Sequence, residues 1–216
     1  MRSVPLVLTA LALVVASACS QEETPPPEDV IPSAAAAMAE VQSVRFELEV
    51  DGKVDGLSVK AADGVVTADG SAEGTGTVTM MSMDIEVDYV IVGDDAYVKG
   101  ATGGYQEIPV GDDMLPYDPT ILLAPDRGIA ALLDAVDSAE PQDTEAVGGF
   151  DTYRYEVEFD PAVFGEFLPA EGDWDTATVW FDQETSRVVK AEFAQGEATV
   201  ILNLSDYDDP VTIEAP

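Results

Sequence analysis

The sequence predicts an α+β fold: a single curved antiparallel half-barrel sheet with helices packed on its concave face. Three observations predict it. Runs of apolar residues alternating with charged ones recur from Val44 to Leu204, the period of strands with one buried and one wet face. Short turns rich in Gly and Asp join these runs, which marks hairpins rather than crossovers. Helical spacing occurs at only three places, too few to cover both faces of a sheet of about nine or ten strands. A sheet of that size curls.

The elements follow in chain order. Residues 1–18 read as a signal peptide: Arg2 is followed by an uncharged run from Val4 to Ala18, too short to span a bilayer. The run ends Ala16-Ser17-Ala18-Cys19, small residues before a cysteine, similar to a bacterial lipobox with Ala16 where leucine is commonest. In that reading Cys19 is lipidated and becomes the new amino terminus. The plainer alternative is an ordinary secretory signal with Cys19 incidental. That the chain's one cysteine falls at the motif position favours lipidation. Residues 19–32 then form a Pro-rich acidic tether, extended and mobile, and residues 33–216 form the domain.

Ser33 caps an alanine-rich helix running to Val41. Val44, Phe46, Leu48 and Val50 alternate with charged residues as the first strand. Leu57 to Ala68 is strand-like, with a turn expected at Asp63-Gly64. Strands follow at Thr75–Met81, at Asp84–Ile91, and in two short pieces, Ala96–Lys99 and Tyr105–Ile108. Asp118-Pro119 opens a short helical piece reaching Leu123. A second helix over 127–137 sets Ile129, Leu132, Leu133 and Val136 in one stripe. Thr152–Phe159 alternates as a strand, and Asp160-Pro161 starts a short helix containing Phe164. Strands resume at Thr176–Asp182, Arg187–Phe193 and Glu197–Leu204, with a last short one at Val211–Glu214.

Composition narrows the chemistry. The chain has 9 Lys+Arg against 43 Asp+Glu, a net charge of −34, and no histidine. Nucleic acid needs a basic face that so few positive charges cannot make. Without histidine there is no Ser-His-Asp triad and no imidazole ligand. The acid pairs Asp94-Asp95, Asp112-Asp113 and Asp208-Asp209 are what chance supplies among so many carboxylates. Asp173-Trp174-Asp175 and Asp206 to Asp209 lack the glycine and terminal glutamate of a calcium loop. No catalytic residue, metal ligand or cofactor site is expected, and the chain is not read as an enzyme. The inward apolar face remains. Its plain explanation is core, but thin helical cover leaves open a cavity for an apolar ligand.

Several stretches carry a family resemblance. They are Tyr117-Asp118-Pro119, Leu123-Ala124-Pro125-Asp126-Arg127-Gly128-Ile129, Ala177-Thr178-Val179-Trp180-Phe181-Asp182, Leu204-Ser205-Asp206-Tyr207, and the Gly-Lys-x-x-Gly-Leu run at Gly52–Leu57. Together they resemble the mycobacterial LppX/LprAFG lipoproteins, which look like the LolA/LolB carriers. The resemblance implies a half-barrel whose hydrophobic cavity holds acylated lipids or glycolipids and carries them across the envelope. It also implies an anchor on the outer face of the cell membrane and, for some members, a membrane exporter as partner. By position it places Val78 on a cavity-lining strand and Ile129, Leu132, Leu133 and Val136 on the cavity helix. Ile85, Val87, Tyr89 and Ile91 follow on the next strand. Phe46, Leu48, Met80, Tyr155, Val157 and Phe164 complete the expected ligand-contacting set. The acidity of this chain argues against anionic head groups at the mouth and suits a neutral, triacylglycerol-like lipid better.

Overall fold

The computed structural model describes residues 24–110, 112, 114–168, 170–172 and 174–216. Its core is one antiparallel sheet made from two meanders. The first meander comprises β1 (Ser43–Asp51), β2 (Val59–Thr67), β3 (Ser71–Met80), β4 (Met83–Val92), β5 (Asp95–Gly100) and β6 (Gln106–Ile108). The second comprises β7 (Val136–Pro141), β8 (Glu145–Val147), β9 (Phe150–Phe159), β10 (Thr176–Asp182), β11 (Val188–Gln195) and β12 (Ala198–Ser205). The strand order is β6-β5-β4-β3-β2-β1-β12-β11-β10-β9-β7, with β8 on β9. Among the strands, β1 against β12 is thus the seam between the halves, in register from Arg45↔Ser205 to Asp51↔Thr199.

Alternation sets which face is buried. Val44, Phe46 and Leu48 of β1 are buried while Arg45, Glu47 and Glu49 are exposed. Ala198, Val200, Leu202 and Leu204 of β12 do the same beside them. The inward rows of both meanders join one core with the helices that lie over them.

Those helices are α1 (Pro27–Ala39), a 3-10 turn (Pro119–Leu123), α2 (Ile129–Asp134) and α3 (Pro161–Phe167). α1 packs on α2, α2 touches α3 and the 3-10 turn, and the 3-10 turn rests on β2 and β3. Asp118 caps the 3-10 turn by accepting from the Thr120 amide at 2.9 Å, and Asp160 caps α3 through Ala162 at 2.8 Å.

Five expectations are corrected. α1 begins at Pro27, not Ser33, so residues 27–32 of the expected tether are helical. Pro27 sits at the first helical position, where its missing N–H costs nothing, and Glu28 and Asp29 favour the positive end of the helix. Val30 and Ile31 then extend the buried stripe that Ala34, Ala35 and Met38 continue. α2 ends at Asp134, so Val136 lies not on a helix but at the start of β7, opposite Phe159. β2 runs straight through Asp63-Gly64, because Gly64 serves packing rather than a turn. β7 and β8 were not foreseen, since Val136–Val147 shows no alternation. Val211–Glu214 is not a strand. The expected signal peptide, Cys19 and the start of the expected tether lie outside the described residues, as do Asp113 and Asp173.

Candidate functional site

The concave face is covered by two different lids. Over the second meander lies α2. Ile129, Leu132 and Leu133 face Phe159, Phe167, Val179, Val188, Phe193 and Leu202 around a cavity of about 20 Å³. Over the first meander lies the segment 114–123, here called the strap. Its Met114, Leu115, Pro116, Tyr117 and Pro119 face Val59, Gly76, Val78, Val87 and Tyr89 around a second cavity of about 20 Å³. A third, about 10 Å³, sits between them at the seam, walled by Phe46, Leu48, Val200 and Leu202 and closed by Tyr117, Leu122, Phe167 and Leu168.

The three form a row. Tyr117 walls the first-meander and seam cavities, while Phe167, Phe193 and Leu202 wall the seam and second-meander ones. No polar surface faces any of them. Burial pushes the phenols of Tyr89 and Tyr117 well above their ordinary range, so both are neutral. A separate recess of about 150 Å³ lies outside this row. It is bounded by Met38 and Val41 at the end of α1, by Ala68, and by Leu122–Pro125 and Ala130.

The expected residues therefore divide. Val78, Val87 and Tyr89 share the first-meander cavity, Phe46 and Leu48 the seam, and Ile129, Leu132 and Leu133 the second-meander cavity. α2 does not share a cavity with Val78 and the strand 85–91: it lies over the second meander. Ile91, Tyr155, Val157 and Phe164 are buried in the surrounding core, and Met80 and Ile85 are half-buried against it. Val136 is half-buried on β7. Phe193, Val200 and Leu202 had the right parity on strands already legible and could have been included. Tyr117, Met114 and Leu115 lie in a segment without periodicity, so no pattern marks them.

The strap 114–123 is held unusually. Leu115 N–H donates to the Asp112 carbonyl at 2.8 Å, Ile121 to Asp118 at 3.3 Å and Ala124 to Ile121 at 3.1 Å. Met114 N–H donates to the Asp112 carboxylate at 3.2 Å. Every hydrogen bond of Asp112 and Met114–Leu123 among the described residues stays within a few residues along the chain. Among the described residues, apolar contact is what seats this strap on the sheet.

Other acidic groups are structurally engaged. Asp208 accepts from the Gln42 amide at 2.8 Å and pairs with Arg187, while Asp206 pairs with Arg45 at 3.1 Å. Among the described residues no cluster of three His, Cys, Asp or Glu side chains is placed to hold a metal.

A family model described as LppX_LprAFG lipoprotein matches residues 26–213. The lipoarabinomannan carrier protein LprG of Mycobacterium tuberculosis strain H37Rv is 27% identical over 193 residues, covering 86% of this chain and 80% of that protein. The crystal structure of LprF from Mycobacterium bovis superposes with a TM-score of 0.76 at 22% identity, covering 89% of this chain and 99% of that one. That of Mycobacterium tuberculosis LppX gives 0.64 at 23% identity, covering 87% and 98%. These structural likenesses carry the fold alone.

Proposed function

Because the chain belongs to the LppX/LprAFG lipoprotein family, we propose that it carries acylated lipid or glycolipid in the apolar row between its sheet and its lids. The observation that carries this reading is the row itself: three neighbouring cavities with shared walls, wholly apolar, running across both meanders beneath α2 and the strap. The carrier name of LprG supports it. The cargo is held by chain burial, about 0.8 kcal/mol per CH₂. A bilayer offers nearly the same, so transfer in either direction stays near balance.

As described, the cavities are far too small for an acyl chain; an engineered cavity of about 150 Å³ accommodates only benzene. Loading therefore requires the strap 114–123 to lift. Among the described residues it makes no hydrogen bond to the sheet, so that motion is a matter of parting apolar surfaces. The chemistry is non-catalytic. In this proposal Cys19 carries the lipid anchor, the domain stands on the outer face of the cell membrane, and a membrane exporter is the partner class. A net charge of −34 disfavours anionic head groups and leaves neutral, triacylglycerol-like cargo the better fit.

The small cavities favour one competing reading, an interaction lipoprotein with a filled core. Gly76 separates the two. A Cβ at Gly76 would meet Ala61 O and Val87 Cγ2 at 3.8 Å each, ordinary contact, and would point into the first-meander cavity. Native mass spectrometry of residues 20–216 from a mycobacterial host should show a di- or triacyl adduct, diminished in Gly76→Leu. A clean mass in the unsubstituted protein, unchanged after incubation with lipid extract, would sink the carrier reading in favour of the filled core.

A further inference from the structure

The β3–β4 hairpin ends in a feature the carrier role leaves unexplained. Its two-residue loop is Met81-Ser82, between the paired Met80 and Met83. Both loop residues have positive φ, 50° and 65°, where Asn-Gly is usual. Met81 is 92% exposed and Met83 61%. A bulky apolar residue in left-handed backbone, held in water, is unfavourable on both counts, and such outliers cluster at functional sites.

Three observations say what covers it. The first is continuity. Val78, Met80, Met83, Ile85 and Val87 share the inward parity of β3 and β4, so the methionines prolong the wall of the first-meander cavity to the sheet's rim. The strap residues Met114–Pro116 close that same cavity. The second is charge. Val78–Met83 contains no carboxylate in a chain with 43, and the first to follow, Asp84, is paired with Lys60 at 2.9 Å and bonded to Thr79 at 2.8 Å. The tip therefore adds no negative charge of its own to an otherwise acidic surface. The third is the side chain. Methionine is unbranched and polarizable and adapts to irregular apolar surroundings, as a layer of acyl chains is.

We propose that the Met80–Met83 hairpin is a membrane-docking tip: it enters the acyl layer of a bilayer and brings the rim of the first-meander cavity to the lipid. The proposal rests on the carrier reading for its purpose, not for its test.

The test uses residues 20–216, which contain every helix and strand described, with Met81→Trp as reporter. The vesicles are phosphatidylcholine, with or without bromine in the acyl chains. Quenching of Met81→Trp by brominated vesicles beyond that of the unsubstituted protein is expected, since Trp174 and Trp180 are buried. Met81→Asp with Met83→Asp should lower the vesicle-bound fraction about tenfold with unchanged thermal stability. Absence of binding, or binding without extra quenching at position 81, would overturn the proposal. A dimer broken by Met81→Asp, again without quenching, would overturn it in favour of a second copy of the chain. A protein that docks but retains no lipid would leave the tip standing and remove the carrier reading. One that loads lipid without quenching would do the reverse.

Discussion

Tyr155, in the middle of β9, donates a 2.7 Å hydrogen bond to the backbone carbonyl of Pro25, 130 residues earlier. Thr24 donates in turn to the Gln142 carbonyl. Together they fasten the lead into α1 to the second meander before the helix begins. Tyr155→Phe should cost about 1 kcal/mol, the worth of one hydrogen bond, and leave the sheet intact. Urea unfolding gives the cost. Proteolysis in the native state should cut near residues 24–26 faster in the variant; equal rates would mean the bond restrains nothing.

A second relationship concerns close approach. Gly64 faces Gly74 across β2 and β3, and the Tyr89 side chain lies over both. A Cβ at Gly64 would stand 2.3 Å from the Glu73 carbonyl oxygen and 2.5 Å from the Tyr89 hydroxyl. Gly64→Ala should therefore destabilise by roughly 1–3 kcal/mol, as overpacking does. Tyr89→Phe removes only the 3.3 Å bond to the Asp63 carbonyl. It should not rescue Gly64→Ala, because the backbone clash remains. Recovery in the double variant would disprove that account.

Alkaline stability follows from the tyrosines. Burial pushes Tyr155 up to about 12 and raises Tyr89, Tyr117 and Tyr207 as well. The unfolded phenols ionise near pH 10, the folded ones later. A raised pKa on a group that is neutral when protonated gives stability that is complete below the unfolded value and falls above it. The urea midpoint should thus decline steeply above about pH 10. A flat profile from pH 9 to pH 12 would contradict the burial of these rings.

Salt should act in one direction. With a net charge of −34, self-repulsion weakens the folded state and added salt screens it. Moderate sodium chloride should raise Tm. The ion pairs lost to screening, such as Lys60–Asp84 at 2.9 Å, are exposed and worth little. A fall in Tm with salt would show that the pairs outweigh the repulsion.

Much of this was legible in the residues, and the rest fails for identifiable reasons. Strands such as β1 and β12 announce themselves because one face is wet and one dry, so Phe46, Leu48, Val200 and Leu202 read directly. Asp63-Gly64 imitates a turn, since glycine serves both tight turns and close packing and only the partner strand tells which. Pro32 suggested a boundary, yet α1 tolerates it six residues into the helix, with the Ser33 hydroxyl donating to the Asp29 carbonyl at 2.7 Å. The first part of the strap, Met114–Tyr117, is the clearest omission. Its side chains meet the sheet through irregular backbone, so no period reveals which of them face inward.

The seam between β1 and β12 has a kinetic consequence. Most other strand pairings join neighbours in the chain, whereas the seam joins Arg45 to Ser205. Each meander can assemble from local hairpins, but the seam must first bring together the two ends of the domain, at the entropic expense that makes non-local topologies slow to form. The amides by which β1 and β12 pair with each other, rather than with β2 and β11, should be the last strand amides to gain protection in pulsed hydrogen exchange during refolding; early protection there would refute this order. Until that final zipper closes, both meanders expose an unpaired strand, and the newly exported chain is at its most vulnerable to joining another copy of itself.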